Sequence, residues 1–210
     1  MKKMLALLSL AALAVLTAPV AHAESLYLGV GLSHGTADFA LEDNGFASAY
    51  DHSEYGFKLD YWNMMAQDYA LTASFNLGRF SELQKPGVNA PTGAPDFKYS
   101  QSSWSVRLGG DRVERIGKRA FLFFGPGIEY WNGTAKFKSG NTALESEHIT
   151  RISLHGRMGA AMMLNASTGL QASVGTKIGR ATYTELGAET TWYPSSTDGS
   201  LGLVFRFGGK

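Results

Sequence analysis

The sequence predicts an all-β chain whose eight antiparallel strands run up and down and close into a barrel. Three observations carry this. The stretch 53–61 splits with period two into an apolar face of Tyr55, Phe57, Leu59 and Tyr61 and a second face of Glu54, Gly56, Lys58 and Asp60. Successive side chains of a strand point to opposite faces, so this is a strand with one apolar and one charged surface. Seven further segments repeat the alternation, joined by connections that are long and short in turn. Composition agrees: 25 glycines and a 12% aromatic share accompany few segments of helical period. The charged face carries both signs around a glycine, which suits the filled inside of a small closed barrel. Its apolar face then meets lipid, and the fold class is an eight-stranded antiparallel up-and-down transmembrane β-barrel.

Residues 1–23 read as a secretory signal peptide. Lys2 and Lys3 start it, a mostly apolar run from Met4 to Val15 follows, and Ala21-His22-Ala23 supplies small residues before the expected cleavage ahead of Glu24. The apolar run is shorter than the roughly 20 residues of a spanning helix. Residues 24–210 are read as one barrel domain. No later stretch reaches 18 consecutive apolar residues, which excludes a helical membrane protein. The chain has no cysteine, so thiolate metal sites and cysteine nucleophiles are excluded. A formal net charge of +1, with no basic block, gives nucleic acid nothing to bind.

The first strand sets Leu26, Leu28, Val30 and Leu32 against Tyr27, Gly29 and Gly31, and a polar segment over 33–52 follows. The 53–61 strand comes next, with a short connection at 63–68. In the third strand Tyr69, Leu71, Ala73, Phe75 and Leu77 oppose Ala70, Thr72, Ser74, Asn76 and Gly78. The segment 79–98 holds Pro86, Pro91 and Pro95 and reads as a loop, since proline cannot donate to a ladder. The fourth strand has Trp104, Val106 and Leu108 opposite Ser103, Ser105 and Arg107, and 110–119 connects onward. In the fifth, Leu122, Phe124, Ile128 and Tyr130 share a face, opposite Phe121, Phe123, Gly125, Gly127 and Glu129; Pro126 predicts a bulge or kink. After a loop over 132–145, Ile152, Leu154, Met158, Ala160 and Met162 oppose Arg151, Ser153, His155, Arg157 and Gly159. A tight turn at 164–168 leads to Leu170, Ala172, Val174 and Ile178 against Gln171, Ser173, Gly175 and Lys177. A last loop, 180–199, precedes Leu201, Leu203, Phe205 and Phe207, opposite Gly202, Val204 and Arg206.

Long loops at one end and short turns at the other are expected of outer-membrane barrels, with the long loops outside. Strands of about ten residues at a tilt of roughly 45° climb roughly 23 Å, close to the ~25 Å apolar band. Aromatic girdles are expected at Tyr61, Trp62, Tyr69 and Phe207 on the periplasmic side. Tyr55, Tyr99, Tyr130, Trp131, Trp192 and Tyr193 would form the outer girdle. A soluble barrel of lipocalin type is the rival; it would crowd the aromatics into an interior only eight strands wide. Inward parity selects Lys58, Arg107, Arg151, Arg157, Lys177 and Arg206 against Glu54, Asp60 and Glu129. Buried charges must pair. Asp60 is therefore expected to be shared by Arg107 or Arg206, and Glu54 or Glu129 to meet Arg151 or Lys177. Surplus positive charge in the lower layer should leave one arginine reaching periplasmic water.

The runs 26–32, 123–130 (Phe-Phe-Gly-Pro-Gly-Ile-Glu-Tyr) and 201–207 (Leu-Gly-Leu-Val-Phe-Arg-Phe) give the chain a resemblance to the small outer-membrane β-barrels, the opacity-protein and OmpA/OmpX-type group. The resemblance covers all of residues 24–210 and rests on pattern. It implies a monomer in the outer membrane of a Gram-negative bacterium, surrounded by lipid and lipopolysaccharide and inserted by the barrel assembly machinery. The family's terminal aromatic signal is here displaced, because Gly208-Gly209-Lys210 follows Phe207. Some such barrels act on lipid A, and the deacylase type resembles a His-x-Ser pair with a nearby acid. Here His148-Ile149-Thr150 lies beside Glu145 and Glu147, with threonine for serine and no sequence-adjacent asparagine. His34 and His52, with the loop serines, are too generic for the palmitoyl-transfer type. His34, His52, His148 and His155 show no metal-ligand spacing. Gly125-Pro126-Gly127 lacks the helix of a nucleotide loop. The Asn132 and Asn165 glycosylation patterns are chance matches. The expectation is therefore a protein with no catalytic, cofactor-binding or metal residue, whose four long loops contact a host or surface ligand. A narrow solute channel and a lipid A-modifying enzyme are the alternatives.

Overall fold

The computed structural model describes residues 25–43, 46–66, 68–84, 97–139, 142–185, 188–192 and 195–208. The expected leader over 1–23 lies outside them, as do Tyr193 and the three prolines of 85–96. The elements are β1 (Ser25–Asp43), β2 (Phe46–Ala66), β3 (Tyr69–Gln84), β4 (Phe97–Ile116), β5 (Ala120–Ser139), β6 (Thr142–Met163), β7 (Thr168–Glu185), β8 (Ala188–Trp192) and β9 (Ser195–Phe207).

Every ladder is antiparallel. β1 through β7 pair in sequence order, and β9 pairs with both β7 and β1, which closes an eight-stranded ring. The short β8 pairs with the upper end of β7 in the register that β9 keeps lower down, Ala181 with Trp192 as Ile178 with Ser195, so it extends the eighth strand upward. Following paired residues around the wall from Leu122 through Ala160, Ala172, Leu201, Leu32, Phe57, Leu77 and Trp104 leads to Asn132, on the starting strand but ten residues higher. Such a stagger in a closed barrel tilts the strands by roughly 35–45°.

The parity of each strand is as read from the sequence. Leu32, Tyr55, Phe75, Leu77, Ile128, Leu154, Val174, Ile178 and Leu201 are exposed on the outside, while Lys58, Asp60, Arg107, Glu129 and Arg157 are buried within. The strand limits differ. The polar segments expected as loops are largely ladder: β1 and β2 pair up to Asp43 and Phe46, β3 and β4 to Gln84 and Phe97, and β5 and β6 to Ser139 and Thr142. Beyond the lipid both faces of a strand are wet. The apolar alternation disappears there, although backbone hydrogen bonding continues.

The connections at the other end are shorter than expected. β2 runs on to Ala66 and β4 to Ile116, leaving short connections between Ala66 and Tyr69, at 117–119 and at 164–167. Gly117 makes the middle one possible with φ of 66°, a conformation that costs a residue with a Cβ. In the third, Asn165 Oδ1 accepts the backbone N–H of Ser167 (2.9 Å) and of Thr168 (2.8 Å), an Asx turn. At Pro126 there is no bulge. The β4–β5 pairing lapses between Gly109–Gly127 and Arg112–Phe124 and resumes in the same register. The missing proline N–H thus costs ladder bonds to one neighbour without inserting a residue.

Two girdle assignments are corrected. Trp62 is 1% exposed and Trp131 is 6% exposed, both on inward parity. Tyr69 and Phe207 do face outward at the short-turn end, and Tyr55 at the other. Trp62 joins Tyr27, Met64, Val113, Phe121, Phe123 and Val204 in an apolar cluster inside the barrel near the short turns. Its ring meets Phe123 edge-on at 5.5 Å, and Tyr27 meets Phe121 at 5.3 Å. Edge-to-face packing of this kind adds to the burial of the rings themselves. The lumen therefore has a solid apolar floor beneath its charges.

Candidate functional site

Above that floor the inward residues of β2, β3, β4, β6 and β7 form a first ionic cluster. Arg157 is its centre. Its Nη1 donates to Asp60 Oδ1 at 2.9 Å, while Nη2 and Nε donate to Asp111 Oδ2 at 2.6 and 2.9 Å. Its guanidinium carbon lies 5.3 Å from the rings of both Trp62 and Phe123, in cation–π range. The Ser74 hydroxyl donates to Asp60 Oδ1 at 2.5 Å, and Lys58 Nζ stands 3.7 Å from Oδ2. Arg107 reaches Asp111 Oδ1 at 3.3 Å, Thr72 Oγ1 at 2.9 Å and the Gly125 carbonyl at 3.2 Å.

The expected pairing of Asp60 with Arg107 or Arg206 is corrected: Asp60 belongs to Arg157 and Lys58. Arg107 instead shares Asp111 with Arg157, an acid that lies in β4 and not in the connection expected over 110–119. Arg206 is partly exposed and donates to Ser25 Oγ at 3.4 Å. Between this cluster and the next, Lys58 Nζ also contacts Ser173 (3.5 Å) and Ser200 (3.4 Å).

The second cluster lies nearer the long-hairpin end, where β5, β6, β7 and β9 contribute. Lys177 Nζ sits 2.9 Å from Glu129 Oε1 and 3.2 Å from Asp198 Oδ2. His155 lies between the same two acids, Nδ1 at 3.6 Å from Glu129 and Nε2 at 3.3 Å from Asp198. Arg151 completes the group, 3.5 Å from Glu129, with Ser196 as a further acceptor at 3.2 Å and the Trp131 ring at 5.5 Å. The expected meeting of Glu129 with Arg151 and Lys177 is thus present. Glu54 accepts a hydrogen bond from Ser103.

Glu129, His155 and Asp198 bring potential ligand atoms within 4.8 Å of one another. Lys177 already stands between the two carboxylates. An ammonium therefore holds the place a metal cation would take, and the arrangement fits an ion-pair network better than a metal site. The space above the network, lined by Glu54, Trp131, Arg151, Lys177 and Asp198 among others, has a volume of about 30 Å³. That is room for about one or two waters.

His148 and Thr150 both lie in β6. His148 Nε2 is taken up by Asn132 Nδ2 at 3.1 Å, on the neighbouring strand. The asparagine missing beside it in sequence is supplied across the ladder. The side chains of Glu145, Glu147 and His52 lie outside the described residues. His34 faces outward and stacks on Tyr55 at 4.6 Å.

A closed barrel with an apolar outer belt and a charged, buried lumen defines an outer-membrane β-barrel protein. The family profile described as outer membrane protein beta-barrel domain matches residues 8–207, and the chain belongs to that family. Its place is the outer membrane. No curated protein sequence matches the chain. Among solved structures it is similar to Ail, the attachment invasion locus protein of Yersinia pestis, with 19% identity, a TM-score of 0.52, and coverage of 88% of this chain and 99% of that one. A second structure of Ail, in complex with the heparin analogue sucrose octasulfate, gives 20% identity, TM-score 0.53 and the same coverage. Neisserial surface protein A gives 14% identity and TM-score 0.50, covering 87% and 97%.

Proposed function

We propose that this protein is a non-enzymatic surface barrel: its lumen is closed by its own charges, and its long hairpins do the work by contacting ligands outside the cell. The observation that carries this is the twofold engagement of Arg157, bound to Asp60 and Asp111 above a floor of Trp62 and Phe123. A side chain so held fills the cross-section of a barrel only eight strands wide. With transit disfavoured, the remaining useful surface is the ladder that continues past the apolar belt, up to Asp43–Phe46 on one hairpin and Gln84–Phe97 on another. The likeness to Ail is one of fold and carries function only as an analogy. It makes a sulfated glycan the first ligand to try.

The test uses the barrel in lipid nanodiscs, intact and with 85–96 replaced by a tight turn, passed over immobilised heparin with sucrose octasulfate as competitor. Retention that the competitor abolishes and the trimmed protein lacks supports the reading. Equal behaviour of the two proteins overturns it for this ligand and this loop.

A further inference from the structure

Neither ring nitrogen of His155 completes a hydrogen bond, although the residue is buried. Nδ1 stands 3.6 Å from Glu129 Oε2, and Nε2 stands 3.3 Å from Asp198 Oδ1. Lys177 takes the other oxygen of each acid, Oε1 of Glu129 and Oδ2 of Asp198. The imidazole thus meets the two oxygens that the ammonium leaves free. Gly175 makes this approach possible, because a Cβ there would fall on His155 Nε2 and Asp198 Oδ1.

A neutral imidazole has one N–H and one lone pair, so it serves one acid and turns a lone pair on the other. An imidazolium donates from both nitrogens. The charged groups around the ring and its two acids are Glu129 on β5, Arg151 on β6, Lys177 on β7, Asp198 on β9, and Glu54 and Lys58 on β2. Of these side-chain types only histidine ordinarily changes charge between about pH 5 and 8. The apolar floor of Trp62 and Phe123 closes the lumen below, so the ring exchanges its proton through the space above, toward the outside of the cell.

Asp198 is the looser of the two acids, with 20% of its side chain exposed against 4% for Glu129. It also sits near the top of the seam that closes the barrel. β1 pairs with β9 up to Ala37 and Ser196, with Asp198 opposite Gly35. Above that point, among the described residues, β1 pairs only with β2. We propose that His155 is a proton-operated clasp for this seam, sensitive to the acidity outside the cell. With a proton on each nitrogen it ties Asp198 of β9 to Glu129 of β5. Loss of one proton turns a lone pair on Asp198, which gives way toward water and lets the uppermost β1–β9 pairs open. Lys177 keeps Glu129 in both states. The clasped state holds a proton that the released state gives up, so rising pH favours opening.

The test uses the full-length barrel in lipid nanodiscs at about pH 5.5 and about pH 8.5, on either side of the ordinary imidazole range. Hydrogen–deuterium exchange, corrected for the intrinsic rate at each pH, reports protection of 33–37 and 196–200. Protection there should fall by about tenfold at the higher pH, as for loss of one hydrogen bond to a charged group. The β3–β4 ladder over 72–77 should show no such change. His155→Gln should abolish the response. His34→Gln alters another imidazole on the same seam, outside the barrel, and should keep it. Heat-modifiable gel mobility checks that each variant is folded. Should His155→Gln fail to fold, Gly175→Ala serves instead, since its Cβ displaces the ring from Asp198. Nitrogen chemical shifts of the wild-type His155 ring need no variant, and both nitrogens should carry protons at the lower pH. Equal protection at the two pH values, or one unprotonated nitrogen at the lower pH, would overturn the proposal. So would a response that survives His155→Gln or is lost in His34→Gln.

Discussion

Arg157 and Asp111 meet through two hydrogen bonds to a single carboxylate oxygen, at 2.6 and 2.9 Å, although 46 residues separate them in the chain. Both are essentially removed from solvent, and Asp60 receives the third donor of the same guanidinium. Removing the arginine takes the nearest cation from two buried carboxylates at once, leaving Asp60 to Lys58 at 3.7 Å and Asp111 to Arg107 at 3.3 Å.

Arg157→Ala should accordingly be the most damaging of the lumen substitutions, at about 3–5 kcal/mol, the usual cost of breaking a buried ion pair from one side. Asp60→Ala should cost less, because Arg157 keeps Asp111, and Arg206→Ala least, since Arg206 is partly exposed. Urea unfolding of the three variants in vesicles measures the order. An order reversed between Arg157 and Arg206 would show that the cluster does not hold the barrel.

Trp62 should be shielded from lipid, whereas Trp104 should touch it. In single-tryptophan variants reconstituted with brominated acyl chains, Trp104 fluorescence is expected to be quenched strongly and Trp62 fluorescence little. Trp62→Ala should also cost about 3–5 kcal/mol, the range for emptying a large aromatic from a packed core. Equal quenching would return Trp62 to the girdle.

In planar bilayers the wild-type barrel should show no steady conductance. The double variant Arg157→Ala, Trp62→Ala should open brief conducting events, because it removes the central guanidinium together with the largest ring of the apolar floor beneath it. Steady wild-type current, unchanged by either substitution, would mean that ions pass beside these side chains.

Trypsin should cut the 117–119 turn at the exposed Lys118 or Arg119 only when the periplasm is opened. Added to intact cells it should leave this turn whole. Cleavage there in intact cells would invert the assigned orientation.

The leader should be absent from the exported protein. Intact-mass measurement of protein taken from outer membranes is expected to give a chain beginning at Glu24, after cleavage at Ala23. A chain retaining 1–23 would make that segment an anchor instead.

The sequence by itself determined the eight strand centres and their parity, because a two-residue period and an apolar belt are local properties; the strand limits and the ladder of β1 with β9 that closes the ring were decided by the tertiary structure. Lys58, Asp60, Arg107, Glu129, Arg151, Arg157 and Lys177 could be assigned to the lumen on parity alone. Asp111 and Asp198 could not. Each sits in a polar stretch where the outward residues are polar too, as with Arg112 beside Asp111, so the contrast between faces is lost. Trp62 was misplaced for a related reason: an aromatic at a strand end suits either a membrane girdle or a lumen floor, and only the continuation of β2 to Ala66 settles its parity. The pairing of charges lay further out of reach. Which acid meets which base depends on the stagger between strands, ten residues around the ring, and that number is a property of the closed barrel.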